Sequence, residues 1–124
     1  MLDSQKLVAF VPVTNADRAR VFYRDTLRLR LVSEDGFALV FDSQGTMLRV
    51  TLVRDLKPQP FTVLGWQVSD AAAAAQELAA AGVAFERFPG IEQDEHALWH
   101  APGGAVIGWF KDPDGNILSI SQHP

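Results

Sequence analysis

Short apolar blocks alternate with polar breaks along the chain, and the blocks come in one order twice. Residues 7–13 (LVAFVPV) form a nearly continuous apolar run, which predicts a strand covered on both faces. Pro12 lacks an N–H, so it belongs near the strand's end or on its unpaired side. Thr14 or Asn15 can cap a following helix, with Asp17 in its first turn. Ala19, Phe22, Tyr23, Thr26 and Leu27 then share one face, while Arg18, Arg20, Arg24 and Asp25 look outward. Three β-like runs follow at 31–33, 37–41 and 47–53, separated by turn-forming residues at 34–36 and 42–45.

The segment 55–60 (DLKPQP), with two prolines and two charges, reads as a linker between modules of about 6–54 and 61–122. Beyond it the order restarts. Residues 61–68 predict a strand, Asp70 a cap, 71–81 an alanine-rich helix, and Gly82 its left-handed stop. Further strands are expected at 83–88, 97–100, 105–110 and 116–121. Asp112-Pro113-Asp114-Gly115 encodes a tight hairpin. The halves superpose at an offset of 55 residues (Val8 on Val63, Asn15 on Asp70, Leu27 on Gly82). This is an α+β chain of two tandem βαβββ modules. Each half has too little core to stand alone, so 1–124 is expected to be one domain with the halves packed together.

Composition narrows the function. No cysteine is present, which removes disulfides, thiolate metal sites and cysteine nucleophiles, and favours a cytoplasmic location. An acid stands among the first six residues, where a signal peptide would place a basic cluster. A net charge of −4 disfavours nucleic acid and anionic membrane as partners, and no apolar run is long enough to span a bilayer.

The run Val21-Phe22-Tyr23-Arg24-Asp25-Thr26-Leu27 and the later Trp109-Phe110-Lys111-Asp112-Pro113-Asp114-Gly115-Asn116, in this duplicated order, resemble the vicinal oxygen chelate superfamily. That superfamily includes glyoxalase I, extradiol dioxygenases, and the fosfomycin- and bleomycin-resistance proteins. One departure is Arg28, where the family usually has glycine. The resemblance implies two curled mixed sheets enclosing a groove, and a homodimer. It also implies four metal-ligand positions, matched here by Val8 and Val63 in the first strands and by Arg49 or Thr51 and Ser119 in the last strands. None is a plausible ligand for a divalent cation, and an arginine would repel one. No cofactor is therefore expected.

Three constellations remain open at this level. His96 and His100, with Glu92, Asp94 and Glu95 upstream, read either as a metal site or as a solvated acidic loop. In an extended segment the two imidazoles would stand ~13 Å apart, too far for one ion. Trp66 reads as core against Ala71, Ala74 and Ala75, whereas Trp99 and Trp109 could stack on a flat ligand or be wall residues. Arg49 alternates with Leu48 and Val50, so it points away from the helix, from the middle of an apolar strand. Its partner is either an internal carboxylate or the carboxylate or phosphate of a ligand.

The expected function is a metal-independent small-molecule-binding protein whose groove is lined by Arg49, Thr51, Gln67, Trp109 and Ser119, for a ligand that can be anionic. The alternatives are a metal-dependent glyoxalase-like lyase or dioxygenase with ligands elsewhere, His96 and His100 among the candidates, and a metal-free enzyme of the same fold.

Overall fold

In the computed structural model, which describes residues 1–124, the first apolar run becomes strand β1 (Val8–Val13). Its burial alternates. Val11 and Val13 are fully buried, whereas Val8 is 43% and Phe10 61% exposed, so β1 is covered on one face at its start rather than on both. The sequence does not show this because both faces of the strand carry apolar side chains. Asn15 caps the next element, its side chain accepting a hydrogen bond from the Arg18 N–H at 2.9 Å. The helix α1 (Ala16–Arg20) then continues as a π turn over Val21–Thr26, with Leu27 N–H bonded to the Phe22 carbonyl. Ala19 and Tyr23 are its buried residues. Arg20, read as outward-facing from the sequence, is instead drawn onto Glu34 and Asp17 by ion pairs.

Strands β2 (Arg30–Glu34), β3 (Ala38–Ser43) and β4 (Thr46–Leu52) complete the first unit, Met1–Lys57. The sheet order is β1-β4-β3-β2, with β1 parallel to β4 and the other pairs antiparallel. Its core is built on Leu39, Phe41, Leu48 and Val50, with Tyr23 packed 6.1 Å from the Phe41 ring.

The second unit, Pro58–Pro124, repeats the plan with β5 (Thr62–Gln67), α2 (Ala71–Ala80), β6 (Trp99–His100), β7 (Val106–Lys111) and β8 (Ile117–Gln122). The order β5-β8-β7-β6 matches that of the first sheet, again with one parallel pair, β5 with β8. Asp70 caps α2 by accepting from the Ala73 N–H at 3.0 Å, the same role as Asn15. The hairpin between β7 and β8 is held by Asp112. Its Oδ1 accepts from the Asp114 and Asn116 N–H groups, and its Oδ2 accepts from the Asn116 amide at 2.8 Å.

One expected strand does not form. Residues 83–88 make only a single bridge, Phe85 opposite Phe110. The outer edge of β7 is shared between Phe85 at one end and β6 at the other. Between them the Gln93 amide satisfies the backbone instead, accepting from Phe88 N–H and donating to the Glu86 and Ala97 carbonyls. No helix is long and apolar enough to cross a membrane.

Candidate functional site

Strand pairing fixes which side chains share a face. In the first unit Phe10, Arg49 and Val40 lie side by side across β1, β4 and β3; Val8, Met47 and Asp42 form the next row, and Pro12, Thr51 and Ala38 the one beyond. The opposite face carries Leu48 and Val50, which are 2% and 0% exposed in the core. The row containing Arg49 therefore belongs to the sheet's open face, as the alternation in β4 predicts.

On that face Arg49 is flanked by the apolar Phe10 and Val40, with the charged pair Arg30 and Asp42 in the next row. Arg49 is half-buried, and its guanidinium makes no hydrogen bond or ion pair; its one polar contact is through its carbonyl, which accepts from the Thr51 hydroxyl at 3.5 Å. No carboxylate lies within ion-pair distance of the guanidinium. The nearest charge effect is on Asp35, whose carboxyl is held below its ordinary range chiefly by the Phe37 and Ala38 N–H groups, with Arg49 adding a smaller attraction. One row along, a cleft of about 310 Å³ is lined by Lys6, Leu7, Val8, Val32, Val40 and Met47, with Arg30 and Asp42 paired at its side at 3.7 Å. Successive same-face rows are about 7 Å apart, and Val40 of the Arg49 row lines the cleft itself, so the cleft adjoins that row.

In the second unit the corresponding row is Gly65, Ser119 and Trp109. Gly65 stands in β5 where Phe10 stands in β1, so in strand register Ser119 matches Arg49 and not Thr51. Ser119 is buried at 8% exposure. Its Oγ occupies the space a Cβ on residue 65 would need, 2.4 Å from that position. Gln67 lies further along the same face and is exposed. The Trp109 indole N–H donates to the Thr62 hydroxyl at 3.0 Å, and the ring stacks on Trp99 at 6.2 Å and meets Phe88 edge-on at 5.5 Å. Trp66, expected in the core, is half-buried on the face it shares with Leu64.

The histidines do not converge. His100 pairs with Asp94 at 2.8 Å, while His96 faces Gln76 at 3.4 Å and Glu95 at 3.7 Å. Asp94 is the hub of this loop, accepting also from the His96 and Leu98 N–H groups. Burial opposes its ionisation, but these hydrogen bonds outweigh burial and hold the carboxyl below its ordinary range. Sequence reasoning missed Gln93 and Asp94 as organisers; the available signal was Asp94 set two and four residues before backbone donors. No three His, Asp or Glu side chains are grouped to hold an ion. At the four positions that the sequence resemblance assigns to metal ligands, the valines offer no donor atom, Arg49 is cationic and Ser119 is a neutral hydroxyl, so these residues do not fit a divalent metal.

Comparison with known proteins agrees with the architecture. The sequence model described as "Glyoxalase/Bleomycin resistance protein/Dioxygenase superfamily" matches residues 6–120. No curated protein matches the chain significantly. Among solved structures, a member of the same superfamily from Sphaerobacter thermophilus is 20% identical with a TM-score of 0.75, covering 99% of this chain and 100% of that one. A lactoylglutathione lyase from Agrobacterium tumefaciens is 19% identical with a TM-score of 0.73, over 96% and 93%. A fosfomycin resistance protein from Listeria monocytogenes is 11% identical with a TM-score of 0.74, over 98% and 94%. At these identities the likeness is one of fold.

Proposed function

Since the chain belongs to the glyoxalase/bleomycin resistance protein/dioxygenase superfamily, we propose that it is a metal-independent binding protein for a small anionic molecule with an apolar body. The observation that carries this reading is Arg49, a half-buried residue between Phe10 and Val40 whose guanidinium makes no hydrogen bond or ion pair. A cation held among apolar groups is costly unless it is paired, and a ligand carboxylate or phosphate supplies the pair with a matching planar fork. The neighbouring cleft offers apolar surface from Val8, Val32, Val40 and Met47, and two further cations, Lys6 and Arg30, against one acid, Asp42. Thr51 lies beside Arg49 as a hydrogen-bonding group; on the matching face of the second unit Gln67 is exposed, whereas Trp109 already donates to Thr62 and Ser119 is buried. Metal chemistry has no role in this reading, because the donor set is wrong for it.

The reading includes a homodimer. Of ten exposed large apolar residues, only Phe61 belongs to the second unit; Leu7 at 80% and Phe10 at 61% lead up to and lie on β1, an edge strand of the first sheet. Edge strands with apolar side chains are commonly covered by another chain.

The test is a titration of isotope-labelled protein with hexanoate and with hexanamide, read from backbone amide shifts. Hexanoate is expected to move the signals of Val8, Val40, Met47 and Arg49 saturably and to bind at least about tenfold more tightly than the amide, the ordinary worth of one charge-assisted pair. Equal binding of the two, or shifts elsewhere only, overturns the proposal.

A further inference from the structure

A second cleft lies on the other side of the second unit, away from Gln67, Ser119 and Trp109. It measures about 400 Å³ and is formed between α2 and the segment 85–97. That volume is within the ~300–1,000 Å³ of small-molecule sites. Its floor is apolar, from Ala75 and Ala79 on one turn of α2 and from Phe85, whose ring packs 5.5 Å from Phe110. Its rim carries Arg87 and Glu95, with Gln76 and His96 also lining it and His96 Nε2 3.7 Å from the Glu95 carboxylate.

The wall opposite α2 is unusual for a connection. Between α2 and β6 the chain runs from Ala81 to Leu98 with no helix or strand. Irregular connections longer than about 12–15 residues are uncommon in compact domains and are usually functional or disordered. This one is wired throughout. Gln93 ties Glu86, Phe88 and Ala97 together, Asp94 holds His96, Leu98 and His100, and Arg87 Nη2 donates to the Asp94 carbonyl at 2.8 Å. The Asp94 contact occupies one arm of Arg87 and fixes the guanidinium at the rim with its remaining donors available. The two charged rim groups are thus presented by a braced loop over an apolar floor, which lowers the ordering cost of binding.

We infer that this cleft binds an α-amino acid zwitterion with an apolar side chain: the carboxylate at Arg87, the ammonium at Glu95, and the side chain on Ala75, Ala79 and Phe85. A group carrying both charges on one carbon matches Arg87 and Glu95 better than an anion or an amine alone, since either would leave one of the two rim charges without a counter-charge from the ligand. Planar guanidinium–carboxylate pairing sets the orientation.

The experiment is an amide-shift titration with L-leucine, N-acetyl-L-leucine and L-leucinamide. Leucine is expected to give saturable shifts at Ala75, Ala79, Phe85 and His96, and each blocked analogue to bind more weakly by at least about fivefold. Arg87→Met should erase the preference for leucine over leucinamide, and Glu95→Gln the preference over the N-acetyl compound. Both side chains are exposed at the rim, so both variants keep the fold. No saturable shift by about 10 mM, a preference below about fivefold, or a preference that survives the matching substitution overturns the inference. The reporting amides are distinct from those of the first unit's sheet face, so this outcome is independent of hexanoate binding.

Discussion

Single residues carry strain that the sequence only partly announces. Arg28 ends the first helix with φ +61°, a left-handed conformation that the second unit assigns to Gly82 at φ +96°. A non-glycine residue there costs about 1–2 kcal/mol, so Arg28→Gly is expected to stabilise the protein by roughly 1 kcal/mol in urea unfolding, after the greater chain entropy of glycine is offset. A stability that falls instead would show that the Arg28 side chain contributes more than its backbone strain removes. Gly65 is the reverse case. A Cβ at residue 65 would meet the Ser119 Oγ at 2.4 Å, so Gly65→Ala should destabilise by about 1–3 kcal/mol. Combining it with Ser119→Ala should return most of that loss, a coupling measurable in a double-mutant cycle. The sequence shows the glycine but not the close approach, because register between β5 and β8 is a tertiary fact.

At the scale of elements, the caps and turns were legible and the long connection was not. Asn15, Asp70 and the Asp112–Gly115 hairpin act through local hydrogen bonds, which are written in neighbouring residues. The π turn was not visible, yet it explains a discrepancy between the halves. Arg28 lies thirteen residues beyond the Asn15 cap, whereas Gly82 lies twelve beyond Asp70, and a π turn absorbs one additional residue without shifting the buried face. The expected strand at 83–88 meets β7 only at Phe85 and through the Glu86 N–H to the Trp109 carbonyl; beyond that Gln93, five residues past its end, takes the Phe88 N–H and the Glu86 carbonyl. Asp94 makes this connection sensitive to acid. Its folded-state pKa lies below the ordinary value, so its contribution is complete above the unfolded pKa of about 3.9 and is lost as pH falls through the lower folded value. Asp94→Asn should therefore flatten the decline in melting temperature below about pH 4. Asp94→Ala, which also leaves the buried Leu98 N–H without its acceptor, should cost about 1–3 kcal/mol at neutral pH.

For the whole molecule, the duplicated βαβββ order was readable because alternation and caps repeat at a fixed offset, and the family match and fold neighbours agree with it. The candidate site was readable only in part. Alternation in β4 placed Arg49 on the open face, but its lack of a partner depends on which carboxylates the other strands bring near, and no local pattern states that. Exposure of the apolar residues concentrates in the first unit, and the homodimer proposed from it predicts a sedimenting mass near twice 13.6 kDa at micromolar concentration. A single species of 13.6 kDa would contradict it.

The central claim is that Arg49 is held without a protein partner to meet a ligand anion, and Arg49→Met tests it most directly when stability and binding are measured on the same variant. If Arg49 serves a ligand, the variant keeps the wild-type melting temperature or exceeds it, because a half-buried residue whose guanidinium makes no ion pair is replaced by an apolar one of similar length. Its preference for hexanoate over hexanamide should then disappear. A loss of about 3–5 kcal/mol in stability, with the ligand preference unchanged, would contradict the account and make Arg49 a structural residue.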